Sequence, residues 1–120
     1  AFVCPKWWEA APAHVLVVPN DHFENIYEIP DSALAAVYRT AKRVAAAMLG
    51  VYGCDGTSTR QHNEPGGGQD VWHFHVHVFP RIAGDQLYER NAETRITSAE
   101  ERAAYAERLR RTLTIVAARV

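Results

Sequence analysis

Three histidines, His73, His75 and His77, occupy alternate positions of the segment His73-Phe74-His75-Val76-His77-Val78-Phe79. In an extended chain a period of two sends successive side chains to opposite faces, so the imidazoles share one face and Phe74, Val76 and Val78 the other. The apolar face would anchor the strand and leave three imidazoles in a row, about 6–7 Å apart along the chain, on a rigid support. Histidine has its proton equilibrium near neutral pH, so such a row can divide the tasks of nucleophile, acid and orienting partner. The same row could instead chelate zinc or copper, with His14 or Asp70 as an added ligand. The segment before it favours the first reading. Gly66, Gly67 and Gly68 let the backbone approach an oxyanion and turn N–H groups toward it, while Asn63, Gln69 and Asp70 add polar side chains around the loop. Glycines followed closely by a one-faced histidine row describe a phosphate site beside a nucleophile.

Other elements must hold this strand in place. Ala1 to Cys4 resembles the middle of a strand, and because the chain opens there without a methionine, some N-terminal sequence is expected to be missing. His14 to Pro19 is a β-branched apolar run closed by proline and reads as a buried strand, followed by a turn at Asn20 to Asn25. From Asp31, the residues Leu34, Val37, Tyr38, Ala41, Val44, Ala45 and Met48 recur at spacings of three and four, predicting a helix ended by Gly50 and Gly53. Thr57 to His62 reads as a strand, Asn63 to Gln69 as an irregular loop, and Trp72 to Phe79 as the histidine strand. Ala83 to Thr97 is polar and reads as irregular. A last helix starts at a capping box, Ser98-Ala99-Glu100-Glu101, and carries Tyr105, Leu109, Leu113 and Val116. The fold class is therefore α+β: one domain over residues 1–120, an antiparallel sheet with a helix after its second strand and a C-terminal helix.

Bulk properties narrow the partners. The 120 residues carry 13 Lys and Arg against 14 Asp and Glu, a formal net charge of −1, so there is no basic stripe for a nucleic-acid polymer and no polybasic membrane patch. The longest apolar runs are far short of a membrane span, and a cytoplasmic protein is expected. Cys4 and Cys54 form no CxxC pair and read as unpaired thiols. His22 and His62, at element ends, read as solvated or capping residues. Trp7, Trp8 and Trp72 read as core or interface aromatics, with Trp7 and Trp8 also able to flank a base. Tyr27, Tyr38 and Met48 read as core. Arg81, Arg90 and Arg95 read as surface charges, any one of which could reach a distal phosphate.

The motif His-φ-His-φ-His-φ-φ, with φ apolar, resembles the signature of the histidine-triad (HIT) family. The likeness extends to Pro12-Ala13-His14-Val15-Leu16-Val17-Val18-Pro19, where the family usually has glycine before the histidine. It also extends through Val78-Phe79-Pro80-Arg81-Ile82-Ala83-Gly84-Asp85, which looks most like the fragile histidine triad branch of dinucleoside polyphosphate hydrolases. The resemblance implies that His75 attacks phosphorus to form a nucleotidyl-histidine that water resolves, and that His77 meets the scissile bridging atom. It implies that His73 and His14 orient the others by hydrogen bonds. Asn63, Gln69 and the backbone of Gly68 and Asp70 match its phosphate contacts. Asp70 stands where a serine or threonine is usual, and Pro5-Lys6-Trp7-Trp8 stands where a ribose-binding acid or amide is usual. No metal or cofactor is implied, since imidazole is already a competent nucleophile. A homodimer whose sheets join is implied. A nucleoside phosphoramidase would share the intermediate. A nucleotide-binding regulatory module and a metal-binding protein are the readings of other classes.

Overall fold

The computed structural model describes residues 1–118, with side chains through 114. In chain order the elements are β1 (Phe2–Val3), β2 (Lys6–Trp8), β3 (Val15–Val17), α1 (Asp31–Tyr52), β4 (Gly56–Arg60), β5 (Val76–Arg81), β6 (Thr94–Ile96) and α2 (Ala99–Ala118). The main sheet has the order β1-β3-β5-β4 with antiparallel pairings, and β2 and β6 form a separate antiparallel ribbon. This is the α+β architecture that the patterning predicts, with α1 after β3 and α2 at the C-terminal end. No helix among the described residues is long and apolar enough to cross a membrane.

One sheet face packs on the helices. Val15 and Val17 of β3, Val76 and Val78 of β5, and Phe74 just before β5 are all buried with Val37, Ala41, Val44 and Met48 of α1 and Leu109 of α2. Each valine, leucine, methionine or phenylalanine side chain buried from water stabilises the fold by about 1.5–3 kcal/mol, so the helix-side half of the alternating segment is its anchor. A smaller cluster of Ala11, Phe79 and Leu87, flanked by Trp8 and Ala10, covers part of the opposite, histidine-bearing face.

Several local expectations change. The β5 ladder begins only at Val76, so His77 alone of the three histidines lies within it; His73 and His75 occupy the lead-in, where the Phe74 N–H donates to Phe23 O at 2.6 Å. Gly50 lies inside α1, and Gly53, with φ of 63°, alone forms the left-handed end. Pro65–Gly67 forms a short 3₁₀ turn rather than an irregular loop. Thr94–Ile96 is a strand rather than irregular chain: its pairing with Lys6–Trp8 is long-range, and the polar Thr-Arg-Ile triplet shows no alternation to reveal it. Tyr27 and Tyr38 are 75% and 41% exposed, and Trp72 is exposed too, so none is core, whereas Met48 is fully buried. Cys4 and Cys54 are free thiols. The Val116 side chain lies outside the described residues.

The capping box forms as read: the Ser98 N–H donates to Glu101 Oε2 at 2.9 Å and the Glu101 N–H donates to Ser98 Oγ at 3.2 Å. Replacing Ser98 with alanine leaves an orphan N–H at the first turn of α2, and is expected to lower stability by about 1 kcal/mol. Urea titration should show this as a lower midpoint with an unchanged slope.

Candidate active site

His77 is the best-fixed histidine of the row. It pairs in register with Leu16 of β3 on one side and Arg60 of β4 on the other, and directly opposed residues of an antiparallel pair project from the same face. Phe79, two residues on, shares that face, and its ring stacks on His77 with centroids 5.4 Å apart and planes 3° apart. The His75 ring lies 5.0 Å from His77 and is almost buried. The buried His14 packs 4.6 Å from Phe79 and 5.5 Å from His77.

The His75 ring is held by its own strand lead-in. Its Nδ1 lies 2.7 Å from the carbonyl oxygen of His73. A carbonyl only accepts, so Nδ1 carries the proton, and in the neutral ring the lone pair sits on Nε2. That is the arrangement a nucleophilic imidazole needs. The His73 imidazole is occupied elsewhere, donating through Nε2 to Pro19 O at 3.0 Å. His73 therefore orients His75 through its carbonyl rather than its ring. For His14 the expected hydrogen bond is absent: neither ring nitrogen has a partner among the described residues, and the ring acts by packing.

Burial sets the charge state of two of these groups. Desolvation pushes His14 down to about 4. It pushes His77 down to about 3, with the positive forms of His14, His75 and His62 and the Arg60 guanidinium adding to the effect. Both rings are neutral at pH 7.

The glycine loop differs in detail from its expected form. The N–H groups of Gly67, Gly68 and Gln69 donate to Glu64 O, Pro65 O and Glu64 O at 3.0, 3.1 and 3.0 Å, closing the turn rather than facing outward. Gln69 is buried: its amide donates to Glu24 O and Val71 O, and its oxygen accepts from the Glu64 N–H at 2.8 Å. Asn63 accepts from the Ile26 N–H and exchanges two side-chain bonds with Gln61. Asn63 and Gln69 thus brace the loop instead of displaying free polar atoms. Asp70 is exposed, and its N–H is the first after the turn without an acceptor among the described residues.

Two residues of the site escaped the sequence reading. His62, read as a solvated end residue, lies 6.1 Å from His77, and its Nδ1 donates to Gly67 O at 2.8 Å. Arg60 sits opposite His77, with its guanidinium over the rings of Trp8 and Tyr88. The only signal for either was proximity to Asn63, because nothing in the sequence states the register between β4 and β5.

Beside the histidines, a cavity of about 280 Å³ is lined by Phe2, Leu16, Val18, Val71, His73 and His75. Trp7 is not part of it: it is buried in the main core, edge-on to Tyr105, while Trp8 tilts against Phe79. Pro5-Lys6-Trp7-Trp8 runs into the β2–β6 ribbon instead of bordering the cavity. Among the described residues, no group of three or more His, Cys, Asp and Glu side chains is placed to hold a metal ion.

Residues 9–84 match the HIT domain, and the chain belongs to that family. It is a family of nucleotide-binding proteins that includes hydrolases and transferases. Protein hit of Bacillus subtilis (strain 168) is 32% identical over 73 residues, covering 61% of this chain and 50% of that protein. The bifunctional bis(5'-adenosyl)-triphosphatase/adenylylsulfatase FHIT of Arabidopsis thaliana is 29% identical over 82 residues, covering 68% of this chain and 44% of the relative. A crystal structure of a Hit-like protein involved in cell-cycle regulation from Bartonella henselae superposes with a TM-score of 0.77 at 29% identity, covering 86% of this chain and 73% of that one. The chain spans about half the length of these curated relatives.

The two neutral histidines have a consequence for stability. Both pKa values are lower folded than the 6.5 of the free side chain, so above pH 6.5 they contribute no pH dependence. As pH falls below 6.5 the unfolded chain takes up protons that the folded chain refuses, and stability drops until the folded values near 4 and 3 are passed. The expected loss approaches about 1.4 kcal/mol per pH unit for each ring across that window. Urea midpoints measured from pH 7.5 to 4.5 should fall, and the slope should be shallower in a His14→Gln, His77→Gln double variant.

Proposed function

We propose that this chain is a cytoplasmic nucleotidyl hydrolase or transferase that works through a nucleotidyl-histidine intermediate on His75, with dinucleoside polyphosphates as its main substrates. The observation that carries this reading is the Nδ1–H hydrogen bond of His75 to the His73 carbonyl, which leaves Nε2 with a lone pair. In the first step Nε2 attacks the α-phosphorus and a new N–P bond forms. The bond from phosphorus to the bridging oxygen breaks, and its electron pair departs with the leaving group. Positive charge develops on the ring as this happens, and the His73 carbonyl is already placed to stabilise it at Nδ1. Water then attacks the phosphorus and gives up a proton to solvent, the N–P bond breaks with its electron pair returning to Nε2, and nucleoside monophosphate is released.

The other residues take supporting roles in this reading. His77, held neutral, meets the bridging atom as a hydrogen-bonding imidazole rather than as a cation. His14 and Phe79 wall its ring in. The apolar cavity bordered by Phe2, Leu16, Val18 and Val71 takes the nucleobase, since flat heteroaromatic rings lose little on leaving water for such a lining. The Asp70 N–H and the loop that Gln69, Asn63 and Gly68 brace receive the phosphate. Among the described residues β4 and β1 are the edge strands of the main sheet, and such edges suit the family's two-fold dimer.

Intact-mass measurement after rapid quench from a panel of dinucleoside polyphosphates and nucleoside phosphoramidates tests this. A transient adduct of nucleoside monophosphate mass is expected on the wild-type chain and not on His75→Ala. That variant should lose on the order of 10³-fold or more in turnover while binding nucleotide within about tenfold of wild type, because His75 acts in the transition state. Nucleotide binding with no adduct and no product on any substrate would replace the enzyme with a regulatory binding module.

A further inference from the structure

Arg81 lies 2.7 Å from Asp85, Arg90 lies 2.7 Å from Glu93, and Arg95 bridges Glu9 and Glu101 at 3.3 and 3.0 Å. These three, which the sequence marks as surface charges any one of which could reach a distal phosphate, are thus already neutralised. Arg60 is different. It projects from β4 on the histidine face, directly opposite His77, and has no carboxylate partner among the described residues. Its guanidinium is 5.5 Å from the Trp8 ring centroid and 5.1 Å from that of Tyr88. Aromatic faces fix the plane of a guanidinium and leave its N–H edges to form paired hydrogen bonds with an oxyanion. A half-buried cation beside a cluster of imidazoles has no carboxylate counter-charge among the described residues, and it disfavours protonation of His77. An anion bound next to His77 would balance it.

We infer that Arg60 binds the departing group of the reaction, and that this group is an oxyanion such as a polyphosphate or sulfate rather than a neutral amine. The inference rests on the reaction proposed above, in which His77 meets the bridging atom; the opposed residue on the neighbouring strand is then next to whatever leaves. When the phosphorus–oxygen bond of an anhydride breaks, its electron pair adds negative charge to the departing phosphate or sulfate, which a fixed guanidinium stabilises. An amine leaving from phosphorus gains no such charge and needs a proton instead. Arg60 therefore selects anhydrides over phosphoramidates that carry the same nucleotidyl group.

The test compares kcat/KM for an adenylyl anhydride with a sulfate or polyphosphate leaving group against kcat/KM for adenosine 5'-phosphoramidate, in wild type, Arg60→Gln and Arg60→Lys. It also measures binding of inorganic pyrophosphate to each by calorimetry. The anhydride-to-phosphoramidate ratio should fall about tenfold or more in Arg60→Gln and recover in part in Arg60→Lys, with pyrophosphate binding weakened in parallel. Charge retention in the lysine variant separates loss of the anion contact from loosening of the Trp8 and Tyr88 packing. A ratio that falls less than about threefold in Arg60→Gln, or a wild type that prefers the phosphoramidate, overturns the inference and leaves the hydrolase standing. Pyrophosphate binding that depends on Arg60 in a chain that turns nothing over does the reverse: the anion site stands and the hydrolase falls.

Discussion

The structure depends on strand β5 being covered on both sides. Val76 and Val78 are fully buried against α1, Phe79 is fully buried on the other face with Ala11 and Leu87, and β3 and β4 satisfy the backbone on either edge. Phe74, just ahead of the strand, is pinned in the same core. A segment held this way at alternate residues has no freedom to swing, so the histidines between the anchors inherit its rigidity. The burial that supplies this rigidity also withdraws His14 and His77 from water and keeps them uncharged, so anchoring and tuning have a single physical origin.

Around this strand the backbone's polar groups are largely used up in bracing the site. Gln69 reaches across to Glu24 O, Glu64 is tied to Asn25 and Gln69, and His62 closes on Gly67 O. Gly68 has φ of 82°, and a Cβ there would come within 3.2 Å of His62 Nδ1, so this glycine serves both the turn and the packing of His62. Ala13 carries a comparable strain: it adopts φ of 61° immediately before His14, a conformation that costs a non-glycine residue about 1 kcal/mol or more. This explains why glycine is usual at that position in the family. Here the residue is fully buried and its carbonyl accepts a hydrogen bond from the Tyr52 hydroxyl at 3.0 Å, which holds the turn.

Charge is distributed with similar economy. Asp85 accepts two bonds from Arg81 and further bonds from the Ile82 and Leu87 N–H groups, which keeps its carboxyl well below the usual carboxylate range and fastens the turn after β5. The second small core, with Phe79 and Leu87 at its centre, is positioned by that turn. It is also where Trp8 and Tyr88 meet Arg60, so the aromatic edge of the histidine face and the ion pair behind it form one unit.

Much of the site was legible in the sequence because its signals are local. Alternation in His73 to Phe79 revealed a two-faced segment, spacing of three and four revealed α1, and Ser98 with Glu101 marked the start of α2. What local pattern does not contain is register and long-range partnering. No sequence period states that Arg60 opposes His77, that His62 turns back onto Gly67, or that Thr94–Ile96 pairs with Lys6–Trp8. The same limit applies to hydrogen bonds: Gly67 and Gly68, read as able to display N–H groups to a phosphate, here spend them on closing a 3₁₀ turn that the buried Gln69 side chain braces at the Glu64 N–H. The sequence by itself determined the chemistry available, a row of imidazoles on an apolar anchor. Tertiary structure decided which ring is oriented, which are neutral and which cation stands beside them, because those properties depend on burial and on neighbours brought together from distant parts of the chain.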